Sequence, residues 1–515
     1  MTGRANWNIR FRVVLTSPSG WRFLMTVTRF FCCIAMVCTS AAAQPPDTLW
    51  TAWFGGDDTD LALSVVQAAD GGFVFAGSAD TGENQDAWLA KTDQYGSLVW
   101  SETFGGTGDD AFNSVRETSD GGFVTYGYTT SSGAGSYDSW LVRTDASGGF
   151  LWDATFGGTG QDIGFEALQL PDGGYAAVGY ASDAGTGDYS IHLIRTDSLG
   201  SAAWERFYGL EGDAEGYSVD RTSDGGFVLT GYTSSMGPGP YNLWLIRTDD
   251  SGTMVWNRVL GGTQGEIGRC VRQTSDGGYI VTGTTTSSGA GLGDMWLIRL
   301  DDAGTVVWDR FFGGPQWDDG FSVTETWEGG FAVTGYTDTD GPSEDTGYDL
   351  WIVKTDAEGD MDWEAILDCG YDSWGQSVAQ TSDGGYIVAG YSWIESSGPE
   401  DFDAWLIRLD QETGISGGGG PRTASPGITS VFPNPSGGPF GIVCSFPGTE
   451  PPEARVYSLS GRLVRVLVPD VIEEGSCTFA WDALDLSGVE APSGVYLLRV
   501  TAASGSDSAR LVVVR

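Results

Sequence analysis

The feature that most constrains this chain is a segment of about fifty residues that occurs seven times. Its Asp-Gly-Gly-aromatic core stands at Asp70, Asp120, Asp172, Asp224, Asp276 and Asp383, with Glu328 taking the acidic place in the sixth copy. A second marker, an aromatic-aliphatic-x-basic-x-Asp run, starts at Trp88, Trp140, His192, Trp244, Trp296, Trp351 and Trp405. A third, Trp followed four residues later by a large apolar residue, starts at Trp50, Trp100, Trp152, Trp204, Trp256, Trp308 and Trp363. The phase of the third marker is informative. Its first copy precedes every Asp-Gly-Gly segment, and the last such segment ends at Asp410 with no Trp strand behind it.

Each copy reads as four short strands, such as "CVRQTS", "YIVTGTT", "MWLIRLD" and "TVVWDRFF", joined through turns that carry Gly and Asp. A lone four-stranded sheet cannot bury both faces, so repeats of this period stack as propeller blades. The displaced strand then predicts ring closure. Trp50 to Phe54 would supply the outer strand of the seventh blade and remove the ends that an open array would expose. The Asp-Gly-Gly and Asp-x-x-Gly hairpins would line one face. Blade-to-blade crossings and the links between second and third strands, which vary in length and content, would share the other, and variable loops on a rigid scaffold are where binding is expected.

Residues 50–410, and most clearly "FGGTGDDAFNSVRETSDGGFVTYGYTTSSGAGSYDSWLVRTDASGGFLW", resemble the bacterial seven-bladed β-propeller repeat. The resemblance implies architecture; that family carries no general activity. The expected fold class is all-β, a seven-bladed β-propeller closed by an N-terminal strand and followed by a small immunoglobulin-like β-sandwich.

The domain plan is a signal peptide at 1–43, the propeller at 44–410, a Gly/Ser/Pro linker at 411–427 and a C-terminal sandwich at 428–515. Arg22 and Arg29 ahead of "FFCCIAMVC", then small residues ending at Ala43 before Gln44, predict export with cleavage between Ala43 and Gln44. The true start is either Met1 or Met25. No later run of eighteen apolar residues predicts a membrane span. Cleavage removes Cys32, Cys33 and Cys38; Cys444 and Cys477 then share one small domain and could form a disulfide, while Cys270 and Cys369 read as separate thiols.

In the last segment, Pro433-Asn434-Pro435, Tyr457 to Gly461, Trp481-Asp482, Gly488 and Ser493 to Tyr496 resemble the C-terminal sorting domain of type IX secretion cargo. They are similar as well to the immunoglobulin-like module of flagellar hook-capping proteins. The first resemblance implies passage through outer-membrane secretion machinery by way of residues 428–515, and an extracellular or outer-membrane surface location.

The formal charge of −43 repels nucleic acid and anionic lipid headgroups. His192, the only histidine, sits where six copies have Trp, which predicts packing and deprives Ser-His-Asp and multi-His zinc chemistry of a base or ligands. The recurring Arg143, Arg195, Arg247, Arg299 and Arg408, with Lys91 and Lys354 in the same place, predict side chains that pair with neighbouring acids or cover strand edges. No cofactor is expected. Asp109, Asp110, Asp318 and Asp319 are weak calcium candidates, since a hard cation prefers oxygen ligands but no Asp-x-Asp-x-Asp-Gly loop is present. With seven near-equivalent blades, the sequence reads as a non-catalytic binding or structural module for a protein or polysaccharide. The alternative is an acid-dependent, glycan-active extracellular hydrolase working on the loop-rich face.

Overall fold

The computed structural model describes residues 12–16, 22–26, 45–56, 58–182, 187–209, 212–338, 347–367, 372–393, 402–411, 427–432, 440–445, 453–458, 463–473, 476–484, 489–492, 494–502 and 505–513. Ala43, Gln44, Asp57, Cys369, the linker 412–426 and Pro433 to Pro435 lie outside these residues. Two compact units divide near Gly417. No helix among the described residues is long and apolar enough to cross a membrane.

The first unit is the expected ring. A short hairpin, Arg12–Thr16 with Arg22–Thr26, stands within the segment read as a signal. Six consecutive four-stranded antiparallel sheets follow the order of the sequence. The seventh is made of Ser373–Gln380, Tyr386–Trp393 and Phe402–Leu409, completed by Thr48–Phe54 from the N-terminal end. Trp50 pairs with Arg408 and Phe54 with Ala404, so the ring is shut by its own beginning. Trp53 stacks on Trp405 at 4.7 Å and 5°, reinforcing that seam.

The core lies between blades rather than inside one. Second and third strands are buried on both sides, as in Tyr279–Thr285 and Asp294–Leu300, because each sheet is sandwiched between two neighbours. Outer strands such as Leu98–Phe104 are largely exposed. Each outer-strand Trp reaches across to the aromatic after Asp-Gly-Gly in the next blade, from Trp50 on Phe73 to Trp363 on Tyr386, at 5.5 to 6.2 Å. Edge-to-face pairs of this kind add about 0.5–1.5 kcal/mol each beyond area burial.

Two belts of hydrogen bonds tie neighbouring inner strands together. Ser64, Ser114, Ser218, Ser322 and Ser377 each accept a backbone N–H from the next blade around, at Val115, Ala167, Val271, Val378 and Val65. In the second belt, Glu117, Gln169, Gln273, Glu325, Gln380 and Gln67 accept the N–H just before the acidic turn residue of the previous blade. The seventh place of that belt is blank for a simple reason. Pro171 has no N–H to give, and Arg221 stands where the acceptor would be.

The second unit is a β-sandwich. One sheet orders Gly427–Phe432, Phe440–Ser445, Ser476–Trp481 and Pro469–Glu473; the other orders Leu463–Leu467, Glu453–Ser458, Gly494–Ala502 and Gly505–Val513. Trp481, fully buried, stacks on Phe440 at 5.4 Å and meets Tyr496 edge-on at 5.3 Å. Cys444 and Cys477 are direct register partners on adjacent strands, and both are buried thiols rather than a disulfide.

Candidate functional site: the mouth of the central channel

The seven inner strands are Leu61–Gln67, Asp110–Glu117, Asp162–Gln169, Ala214–Arg221, Glu266–Gln273, Asp318–Glu325 and Ser373–Gln380. Every one slips register by one residue against its second strand, at Leu63, Asn113, Phe165, Tyr217, Arg269, Phe321 and Gln376. The slip explains the Gly in each second strand. At Gly127 a Cβ would stand 1.9 Å from the carbonyl oxygen of Ala111, and at Gly231 1.8 Å from that of Glu215, so no side chain fits. A bulge of this sort re-aims side chains. Here it turns the seven extra residues, all half-buried, into the wall of a central cavity of ≈ 270 Å³.

These seven positions comprise six residue types, between columns that are mostly Gly and mostly Ser, and aromatic residues crowd toward them. Phe165 packs on Tyr217 at 4.7 Å and on Tyr180 at 5.9 Å; Tyr217 continues to Tyr232 and then Tyr241. Arg269 bridges the fifth blade, its guanidinium 5.2 Å from the rings of both Tyr217 and Phe321. From Phe321 the contacts run on through Tyr336, Tyr348, Trp374, Tyr391 and Phe402. The result is a crescent over blades three to seven, open at the first, where Leu63, Ser78 and Gln85 take the equivalent places. Glu215 accepts the hydroxyls of Tyr217 and Tyr232 at 2.6 and 2.7 Å. Asp319 faces Arg269 at 3.5 Å and accepts the Thr284 hydroxyl.

Deeper in the channel the fold departs from the expected near-equivalence. Where five blades have Ser, the third has Glu166, only 7% exposed, and the fifth has the buried thiol of Cys270. Arg272 forks onto the Glu166 carboxylate at 2.8 and 3.1 Å, Arg116 joins it, and Ser218 Oγ and Val219 N donate at 2.7 and 3.2 Å. Burial alone would raise this carboxyl; the Arg272 and Arg116 guanidiniums overcome it and hold it at about 2. Asp220 nearby is raised by burial, against the pull of Arg272. Blades two to five thus carry an ionic network, so the blades are not chemically interchangeable.

The acids singled out in the sequence serve the loops. Asp110, Asp162, Glu266 and Asp318 each accept the N–H of the second Gly of the crossing, at 3.0, 2.7, 3.1 and 2.8 Å. Asp109 accepts from Gln85 N at 3.2 Å, and Asp372 from Tyr348 N at 2.9 Å, which places crossings and links on one face as expected. Asp86, Asp162 and Asp318 are raised, first by burial and then by a neighbouring acid, Asp110, Asp138 and Asp294 respectively. Asp109 and Asp110 belong to blade two, Asp318 and Asp319 to blade six. No group of three or more metal-binding side chains is gathered among the described residues.

The hairpin face is repetitive. Arg143 pairs with Asp120, Arg195 with Asp172 and Arg247 with Asp224; Lys91 meets Asp70, Arg299 Asp276 and Arg408 Asp383, each at 2.5 Å. The sixth blade, with Glu328 at the turn, sends Lys354 to Asp362 at 3.2 Å instead. A notch of ≈ 420 Å³ on this face is lined by Asp276, Arg299 and Trp308, members of motifs common to most blades. His192 is 1% exposed and keeps the Trp slot's bond. Its Nε2 lies 2.8 Å from Glu205, as Trp140 Nε1 lies 2.9 Å from Asp153 and Trp351 Nε1 3.0 Å from Glu364.

Residues 445–506 match the family model of the FlgD Ig-like domain. No curated protein matches the chain. Solved structures similar to it include a fungal alcohol oxidase of the AA5 family in complex with copper, at 14% identity, 91% of this chain, 100% of that one and a TM-score of 0.45. Sqt1 from Chaetomium thermophilum follows at 14% identity, 78% and 97% coverage and 0.40, and puromycin hydrolase at 15%, 80% and 64%, and 0.42. None of these carries an argument about the chemistry of this chain. Taken together, the chain is a seven-bladed β-propeller followed by a β-sandwich that matches the FlgD Ig-like domain over residues 445–506.

Proposed function

We propose that the protein is a secreted or cell-surface binding and structural module whose ring does no chemistry of its own. In this reading residues 1–43 are a signal cleaved before Gln44, residues 44–410 form the working ring, residues 411–427 act as a linker, and residues 428–515 engage outer-membrane secretion machinery as a sorting domain. The ring works without a cofactor and takes a protein or polysaccharide partner. One observation supports it most. The repeated acids and bases serve the ring's own turns and seams, whereas the residues that differ from blade to blade converge on a single mouth. Hydrolysis gains nothing from the geometry, since the suspected acids are split between blades two and six and accept bonds from the protein itself.

The test is capture from envelope extracts by the purified ring, paired with fractionation of cells expressing the full chain or one ending at 427. The expected outcome is retention of an envelope component and periplasmic trapping of the truncated chain. A ring that retains nothing refutes the binding role; surface display without residues 428–515 refutes the sorting role.

A further inference from the structure

We propose that the loop-face mouth of the channel recognises a neutral glycan, with one sugar ring seated in the cavity against the wall that Phe165, Tyr217, Arg269 and Phe321 form; this rests on reading the ring as a binding module. Three features converge on that ligand class. Phe165, Tyr217 and Phe321 supply half-buried aromatic surface at the cavity wall, which suits the C–H face of a pyranose. Arg269 supplies donors beside them. Its Nη2 reaches Asp319 at 3.5 Å, whereas its Nε is buried with no hydrogen-bond partner and is left to meet an acceptor. Acceptors stand alongside in Asp319 and Glu215.

Charge selects among ligands with such edges. The chain carries −43, and Asp319 and Glu215 offset Arg269 at the throat, so an anion gains no net attraction. The deeper guanidiniums of Arg116 and Arg272 are held by Glu166. A cation would meet Arg269 head-on. A purely apolar ring would leave Arg269 Nε buried without an acceptor. A neutral, hydroxyl-bearing ring with one apolar face satisfies all of these groups at once. The cavity of ≈ 270 Å³ falls just under the ~300–1,000 Å³ of ordinary small-molecule sites, which suits a chain end or branch rather than a threaded polymer.

The experiment is titration calorimetry of the intact protein with neutral tetrasaccharides of glucose, mannose and galactose, and with an oligogalacturonate. At least one neutral oligosaccharide should bind. Phe321→Leu, which keeps apolar volume but removes the ring, and Arg269→Gln should each weaken it about tenfold or more. Tyr95→Ala, at an exposed position on the hairpin face, should leave affinity unchanged. Unaltered thermal midpoints show that the variants are folded. The proposal is overturned if no neutral oligosaccharide binds at millimolar concentration, if both channel variants bind as the parent does, or if the oligogalacturonate binds more tightly. Envelope capture of a protein partner alongside such a negative result would leave the binding-module reading standing and remove only the glycan.

Discussion

The two faces of the ring are built from the same strands yet obey opposite rules. On the hairpin face a base at the end of the third strand meets the Asp of the Asp-Gly-Gly turn in six blades, Lys91–Asp70 and Arg143–Asp120 being typical. At the other end the bulge column runs Leu63, Asn113, Phe165, Tyr217, Arg269, Phe321 and Gln376, and only Phe appears twice. Uniformity marks where every blade has the same mechanical job of locking a tight turn. Variation marks where the seven blades face one shared space and need not be equivalent. The contrast also shows that a repeat can hide an asymmetric site when each copy contributes a single residue.

Breaking the frame that both faces share should have the largest effect. Deleting residues 48–54 leaves the buried strand Phe402–Leu409 as an open edge, and cooperative unfolding in denaturant, with a monomeric elution profile, should be lost. Retention of one sharp transition would mean that closure is not what holds the ring together.

The next test breaks the asymmetry. Glu166→Gln strips Arg116 and Arg272 of their shared carboxylate deep in the channel, and should cost about 3–5 kcal/mol by chemical denaturation, as expected when one partner of a buried pair is removed. On the hairpin face Asp172→Asn should cost no more than ~1 kcal/mol, because that carboxylate is largely exposed. Equal losses would erase the distinction between the faces.

Acidity separates the two kinds of carboxyl. Glu166 is depressed to about 2, so its contribution is complete above its unfolded value of roughly 4.3 and is lost as pH falls through about 2. Asp86, Asp162 and Asp318 are raised by burial in the loop-face seams, so their contribution is present at acid pH and is lost as pH rises through their elevated values. The thermal midpoint should therefore rise slightly as pH is lowered from neutral and fall at strongly acid pH. In Glu166→Gln the acid fall should be shallower, and in Asp318→Asn the rise smaller. A wild-type midpoint that falls steadily from neutral pH would contradict the seam assignment.

The smallest effect sharpens the view of the second belt. Pro171→Ser supplies an N–H and Arg221→Gln an acceptor, so each alone should do little, while together they should show a coupling of about 0.5–1.5 kcal/mol in a double-mutant cycle. Additivity would mean that the blank place has another cause.

Much of this architecture was legible in the residues. The phase of the Trp markers located the closing strand, Trp50 to Phe54, because a strand missing at one end and spare at the other has one economical use. The base on each third strand and the Asp of each turn were visible as recurring types, although their pairing needed the hairpin geometry. His192 was readable as packing from its slot, and its bond to Glu205 follows the Trp pattern. The mouth was not legible. Phe165 or Arg269 in isolation looks like any residue of an alternating strand, and the only available signal was that this column varies while its neighbours repeat. Cys444 and Cys477 show the reverse: their separation permitted a bond, and the register sets them opposite one another as thiols.

What the sequence determined by itself was the blade, the number of blades, the manner of closure and the succession of ring and sandwich, because these follow from local periodicity, turn chemistry and the count of copies. What only the tertiary structure decided was which residues meet. Arg272 lies 106 residues from Glu166 and reaches it across the intervening blade, and Tyr217, Arg269 and Phe321 touch although they come from three separate repeats. Periodicity is a property of neighbours along the chain, whereas a channel wall is a property of the closed circle, and its chemistry exists only once the circle has formed.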